Sequence, residues 1–174
     1  MITSVLEPET DSAGKIPRNS RRRVKCVYLT AAESEFRAAA MILRSTRISL
    51  HHAATLEQAE FQLMRTKATV LMTEPQFTEG AWEDALEMLS YAYPRVALVL
   101  SADHADDRLW ISALERGAFD VISKPFEREE LRRILENAAA RSREFTQGQA
   151  SGSQIPPASG FSGPATGMRS AGSR

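Results

Sequence analysis

Between residues 24 and 142, short apolar runs alternate with amphipathic stretches, and that alternation constrains the fold more than any other feature of the chain. Residues 24–29 are mostly apolar and short enough for a buried strand. Thr30-Ala31-Ala32-Glu33 then has the spacing of a helix capping box, and Phe36, Ala40 and Leu43 follow at helical intervals. Residues 48–53 form a weaker second strand. Thr55 and Gln58 repeat the capping spacing, ahead of Leu56, Ala59 and Leu63 on one face. Val70-Leu71-Met72 makes the core of a third strand ending near Thr73-Glu74-Pro75, and Trp82, Leu86 and Leu89 mark a third helix. Residues 96–100 are the strongest strand. Asp106 or Asp107 opens a fourth helix bearing Trp110, Ala113 and Leu114, which Gly117 stops. Residues 119–123 are a fifth strand, and Leu131, Ile134, Leu135 and Ala138 stripe a last helix.

This is a (βα)5 pattern. Continuous apolar strands between amphipathic helices imply a parallel sheet covered on both faces, an α/β three-layer sandwich. Right-handed crossovers make a doubly wound, flavodoxin-like five-stranded sheet the leading topology. Ligands gather at the carboxyl ends of such strands, so the residues of interest are 30–33, 73–75, 101–103 and 123–125.

The flanks differ in composition. Residues 1–22 mix proline, glycine, serine and charge without periodicity and read as a flexible arm. From Phe145 onward the chain holds six of its nine glycines, three prolines and no acidic residue. Such a stretch buries too little apolar surface to offset its ordering entropy, so residues 143–174 read as a disordered tail and 23–142 as the domain. Arg21-Arg22-Arg23 with Lys25 reads as a solvated lead-in to the first strand, with contact to a phosphate or a partner as the alternative. The 22 basic and 22 acidic residues balance, so no global field argues for nucleic acid or an anionic membrane. No apolar run approaches the roughly 18 residues of a membrane span. The single cysteine, Cys26, cannot form an intramolecular disulfide, and a cytoplasmic location is the default.

With the pattern in place, the chain resembles the receiver domain of two-component response regulators over about 120 residues. The most specific piece is Arg116-Gly117-Ala118-Phe119-Asp120-Val121-Ile122-Ser123-Lys124-Pro125-Phe126, similar to that family's fifth strand with its Lys-Pro signature. Ser101 falls where the family keeps a Ser or Thr, and Glu33, Phe36 and Arg37 resemble its first loop and helix. The resemblance implies a phosphorylation site in which two acids after the first strand and an acceptor Asp hold Mg²⁺. In it a Lys neutralises the phosphoryl oxygens, while a Ser or Thr and an aromatic on the fifth strand respond.

This sequence departs at most of those positions. The acidic pair falls on Ala31 and Ala32, which offer a metal no oxygen. The acceptor falls on Glu74, or on Thr73 if the register differs by one, and the aromatic falls on Val121. Ser101, Lys124 and Pro125 remain. A Glu acceptor sits one methylene too far out for a reaction that demands tight positioning. Mg²⁺ binding is expected to be lost or weak, and no other cofactor is implied. Glu74 can instead pair permanently with Lys124, either imitating a phosphorylated state or merely satisfying two charges. Glu33 reads as a relic of the acidic pair or, more simply, as part of the Thr30 cap. His51, His52 and His104 stand away from any cysteine or paired acid, which argues against zinc. Trp82 and Trp110 lie in helical stripes and read first as core, with Trp110 alternatively a partner anchor beside Val121 and Phe126.

The resulting expectation is a stand-alone, non-enzymatic receiver-like module that binds a protein, a histidine kinase or a downstream signalling protein, through its fourth-helix, fifth-strand and fifth-helix surface. No nucleic-acid-binding domain is evident, and the oligomeric state is not readable. Three readings compete: a working regulator phosphorylated on Glu74, a flavodoxin-like enzyme or cofactor binder, and a member of a larger assembly that binds through its tail. The second is weakened by the lack of a Gly-rich βα turn, a P-loop or a nucleophile–histidine pairing.

Overall fold

Alternate residues of the first strand enter opposite cores, which is what a sheet covered on both faces requires. Val27 and Leu29 pack on one side, and Val24, Cys26 and Tyr28 on the other. A computed structural model describes residues 23–103 and 106–151, with side chains as far as 144. The strands are β1 (Val24–Leu29), β2 (Ile48–Ala53), β3 (Val70–Thr73), β4 (Gln76–Phe77), β5 (Gly80–Ala81), β6 (Ala97–Ala102) and β7 (Asp120–Ser123). The helices are α1 (Glu33–Leu43), α2 (Leu56–Thr66), α3 (Trp82–Ala92), α4 (Asp107–Arg116) and α5 (Arg128–Ser151).

Five strands form one parallel sheet in the order β2-β1-β3-β6-β7, the doubly wound topology expected from the pattern. One face packs Ala59 and Leu63 of α2, Trp82, Ala85 and Leu89 of α3 and Ala113 of α4. The other packs Ala39 and Leu43 of α1 against Leu131, Leu135 and Ala138 of α5. The caps at α2 and α4 form as read: Thr55 accepts from the Gln58 amide at 3.2 Å, and Asp106 from the Leu109 amide at 2.7 Å. Gly117 ends α4 at φ +108°, a left-handed conformation that costs a residue without Cβ nothing.

Three local expectations change, and one unassigned segment gains an element. The first helix is capped by Ala32, without a side-chain bond, so Thr30 and Glu33 do not form a capping box. Strand β6 runs to Ala102, which places Ser101 inside the sheet rather than after it. The segment after β3, to which the sequence pattern assigned no element, folds into a small antiparallel hairpin, β4–β5, that tucks Phe77 into the core. Helix α5 continues to Ser151, past the boundary drawn at residue 142, because local helix continuation does not require glycine-free sequence downstream. The arm of residues 1–22, His104 and residues 152–174 lie outside the described residues.

Candidate functional site

The carboxyl ends of β3, β6 and β7 surround a crevice of about 390 Å³ lined by Glu74, Ser101, Asp103 and Lys124 among others. Glu74 follows directly on β3, whose four residues are fully buried, so its side chain is the first that can turn into the opening. Lys124 follows β7. Its amide continues the sheet ladder by donating to the Ala102 carbonyl at 2.8 Å, and the Lys124–Pro125 peptide bond is cis. Fixed at its backbone, the lysine reaches across the crevice and Nζ donates to Oε1 of Glu74. The pair is largely removed from water, with side-chain exposures of 9% for Lys124 and 18% for Glu74.

Glu74 has a second partner that the sequence reading assigned elsewhere. The hydroxyl of Thr30, fully buried at the end of β1, donates to Oε2 of Glu74 at 2.9 Å. The same Oγ1 accepts from the Ala32 amide at 3.2 Å. Both carboxylate oxygens of Glu74 are therefore engaged, one by a cation and one by a hydroxyl. Two further carboxylates face Lys124: Glu35 on α1 at 3.5 Å and Asp103 after β6 at 3.6 Å. Burial alone would lower the Lys124 pKa, but the bond to Glu74 and the negative groups around it outweigh burial and hold it above the usual lysine value.

Ser101 is part of the crevice wall, yet its hydroxyl is committed to the interior. Its single proton goes to the Thr73 carbonyl at 3.3 Å, so the Tyr28 hydroxyl, 3.2 Å away, must be the donor in that second contact. Burial pushes the Tyr28 phenol up to about 12, partly offset by its bond to Ser101 and the nearby Lys124 charge. Phe126 meets the Tyr28 ring edge-on at 6.4 Å between centroids. Thr73 turns its hydroxyl back onto the Glu74 carbonyl at 3.2 Å, so the carboxylate of Glu74 is the group presented to Lys124.

Thus Glu74, Ser101 and Lys124 converge, while other predicted residues do not. Glu33 is exposed and paired with Arg37, one helical turn along at 2.8 Å. Ala31 and Ala32 are exposed methyl groups at the rim. Val121, expected at a partner surface, is only 7% exposed and packs among Leu100, Ala113 and Ala118 beneath α4. Trp110, expected first as core, is 46% exposed beside the exposed Ile111, because Leu109 and Ala113 take the sheet-facing stripe of α4. Trp82 is core as read, with Arg116 over its ring at 5.7 Å. His52 donates from Nε2 to the Thr30 carbonyl at 3.0 Å and stacks on Phe36, a supporting role beneath the crevice.

The donors here do not fit a hard divalent cation. Alanine replaces the pair after β1, each carboxylate oxygen of Glu74 is engaged by Lys124 or Thr30, and among the described residues no group of three His, Cys, Asp or Glu is arranged to hold a metal. Tyr28 and Glu35 were missed by sequence reasoning, and Thr30, though among the strand-end residues of interest, was read as a cap. Glu35 carried one signal, its place in the first turn of a helix that begins at the crevice.

By sequence the chain matches no family model and no curated protein. By structure it is similar to many solved receiver domains. A signal receiver domain from Vibrio parahaemolyticus aligns at TM-score 0.65 and 15% identity, over 73% of this chain and 98% of that one. A response regulator receiver domain from Clostridium thermocellum aligns at 0.63 and 18%, over 70% and 98%. The receiver domain of an HD domain-containing protein from Pseudomonas fluorescens aligns at 0.63 and 20%, over 71% and 99%. At these identities the likeness is one of fold: this chain has the receiver fold.

Proposed function

We propose that this chain, built on the receiver fold, is an atypical receiver that works without aspartyl-type phosphorylation and acts by binding a protein partner. The observation that carries the reading is the double engagement of Glu74, by Lys124 on one carboxylate oxygen and Thr30 on the other. A phosphoryl acceptor needs a free carboxylate oxygen and a metal beside it. Here the lysine that would steady the incoming phosphoryl group is bound to the would-be nucleophile, and alanines stand where metal ligands are needed. The alternative user of that crevice, a working regulator phosphorylated on Glu74, would first have to break a charge-assisted bond in a site shielded from water.

The crevice then has one charge arrangement rather than two, and signalling falls to the surface. The flank of α4, with Trp110 and Ile111 exposed side by side, is the contact we assign to a protein partner. Aromatic anchors of this kind carry a disproportionate share of interface energy. Among the described residues no helix is long and apolar enough to cross a membrane.

The test is an amide NMR titration of the wild-type chain with Mg²⁺ and beryllofluoride. No saturable change at Ser101 and Lys124 is the expected result. Saturable shifts there would sink the reading and restore a phosphate-responsive switch. Trp110→Ala should separately abolish partner capture while leaving the fold intact.

A further inference from the structure

The opposite end of the sheet carries a second pocket, and its chemistry is the reverse of the first. Arg23, Val24 and Lys25 at the start of β1, Lys67 and Thr69 between α2 and β3, and Arg143 on α5 enclose about 390 Å³. Four of these six residues are cations and none is an acid. Lys25 Nζ donates to the Thr66 carbonyl at 2.8 Å, which satisfies one of its protons and fixes its position at the end of α2. Arg23, Lys67 and Arg143 have no carboxylate within salt-bridge distance among the described residues.

The lysine at the mouth is also held in a costly backbone conformation. Lys67 ends α2 at φ 54°, ψ 45°, the left-handed region where glycine is the ordinary residue. A side chain there costs about 1 kcal/mol that glycine would not. The chain thus keeps a side chain where glycine is the ordinary residue, and that side chain is a cation beside three others. Strain and unrelieved like charge at one pocket point to a ligand rather than to packing.

We propose that this pocket binds a small phosphorylated molecule, a phosphate ester or polyphosphate, at the end of the sheet remote from the Glu74–Lys124 crevice. The pocket lies near the small end of the range for small-molecule sites, roughly 300–1,000 Å³. Four positive charges in that space are matched by a multiply charged anion, and there is no room for the several single-charge carboxylates of an acidic peptide. Guanidinium groups from Arg23 and Arg143 can each meet phosphate oxygens with two parallel donors, with Lys67 as a point charge and the Thr69 hydroxyl as a neutral donor. Val24 and the lysine stems supply an apolar wall for the organic part. The concave shape favours this small ligand over the extended backbone of a nucleic acid, which needs an open basic face. Arg23 of this pocket is the last residue of the sequence run Arg21-Arg22-Arg23.

Titration of the full ¹⁵N-labelled chain with inorganic pyrophosphate, at constant ionic strength set by chloride, tests the assignment. Saturable amide shifts are expected at Lys25, Lys67, Thr69 and Arg143, with Ser101 and Lys124 still. Lys67→Gly and Arg143→Gln should each weaken binding about tenfold, the equivalent of one charge-assisted contact. Because glycine suits the backbone at 67, loss of affinity in that variant cannot be ascribed to unfolding. No saturable shift, or unchanged affinity in Lys67→Gly, would overturn the proposal. So would a duplex oligonucleotide that binds with steep salt dependence while pyrophosphate gives no response. Shifts confined to Ser101 and Lys124 would also overturn it, and would count against the closed crevice as well.

Discussion

The two ends of the sheet hold lysines under opposite conditions. At the carboxyl end, Lys124 is nearly buried, faces three carboxylates and is bonded to one of them. At the amino end, Lys67 is exposed, strained and grouped with three other cations. A net charge of zero for the chain conceals this separation. The contrast teaches how charge should be read in a small fold. Paired charge in a shielded crevice is part of the structure and fixes one arrangement. Like charge gathered around a pocket without carboxylate partners is, on the proposal above, compensated by something bound.

The strongest test of this contrast is deletion of Lys124. Lys124→Ala leaves Glu74 shielded with only the Thr30 hydroxyl for company. Removing one partner of a buried pair costs about 3–5 kcal/mol, and the low end is expected because Glu74 keeps some contact with water. Replacing both, as Glu74→Leu with Lys124→Met, should recover most of that loss. Urea midpoints of the two single variants and the double variant read the coupling directly. A Lys124→Ala protein as stable as the parent would mean that the crevice is not closed.

Alkaline pH attacks the same end without mutation. Tyr28 ionises near 10 in the unfolded chain and near 12 in the folded one, and Lys124 is likewise held above its unfolded value of 10.5. Both folded values are raised, so the folded state keeps its protons longer. The stability they contribute is complete below about pH 10 and is lost as pH rises through the folded values. For Tyr28 the loss is roughly 2–3 kcal/mol between pH 10 and 12. Urea midpoints measured across that interval should fall, and fall less steeply in Tyr28→Phe. An unchanged slope in that variant would assign the titration to other groups.

These effects hinge on residues the sequence disclosed unevenly. The sheet was legible because buried parallel strands are continuous apolar runs, as in residues 97–100, and glycine at 117 marked a helix end without ambiguity. Glu74, Ser101 and Lys124 were legible through their places at strand ends. Thr30 was misread because a threonine three residues before a glutamate is also a capping signal, and only three-dimensional packing decides between a cap and a partner across the sheet. Trp110 was misread for a related reason: Leu109 and Ala113 offer an equally good helical stripe, and the sheet takes only one. The β4–β5 hairpin is too short for a period-2 signal. The basic pocket gathers residues from three distant parts of the chain, and no local pattern announces it.

Thr30 allows a finer cut at the closed end. Thr30→Val keeps the shape and removes both the donor to Glu74 Oε2 and the acceptor for the Ala32 amide, leaving that carboxylate oxygen beside a methyl group. The cost should be about 1–2 kcal/mol, less than deletion of Lys124 because a hydroxyl bond carries no net charge. Thr30→Ser should be close to the parent in midpoint. If valine is tolerated as well as serine, Lys124 alone holds the carboxylate.

The smallest expected effect has the opposite sign, which makes it the sharpest comparison. Lys67→Gly, like Lys124→Ala, deletes one lysine from the end of a secondary-structure element. At position 67 nothing is orphaned, since the cation has no carboxylate partner among the described residues. The substitution removes the left-handed penalty at φ 54° and one source of repulsion, against the lost cation at the carboxyl end of α2 and the greater chain entropy of glycine when unfolded. The balance should be a gain of about 0.5–1 kcal/mol, seen as a higher urea midpoint in buffer free of phosphate. Added pyrophosphate should then raise the parent's midpoint more than the variant's, because a ligand bound only to the folded state stabilises in proportion to its affinity. The lysine that costs stability in empty buffer would thereby return it when the pocket is filled. If Lys67→Gly is instead destabilised, the cation is part of the fold after all, and the distinction between the two ends collapses.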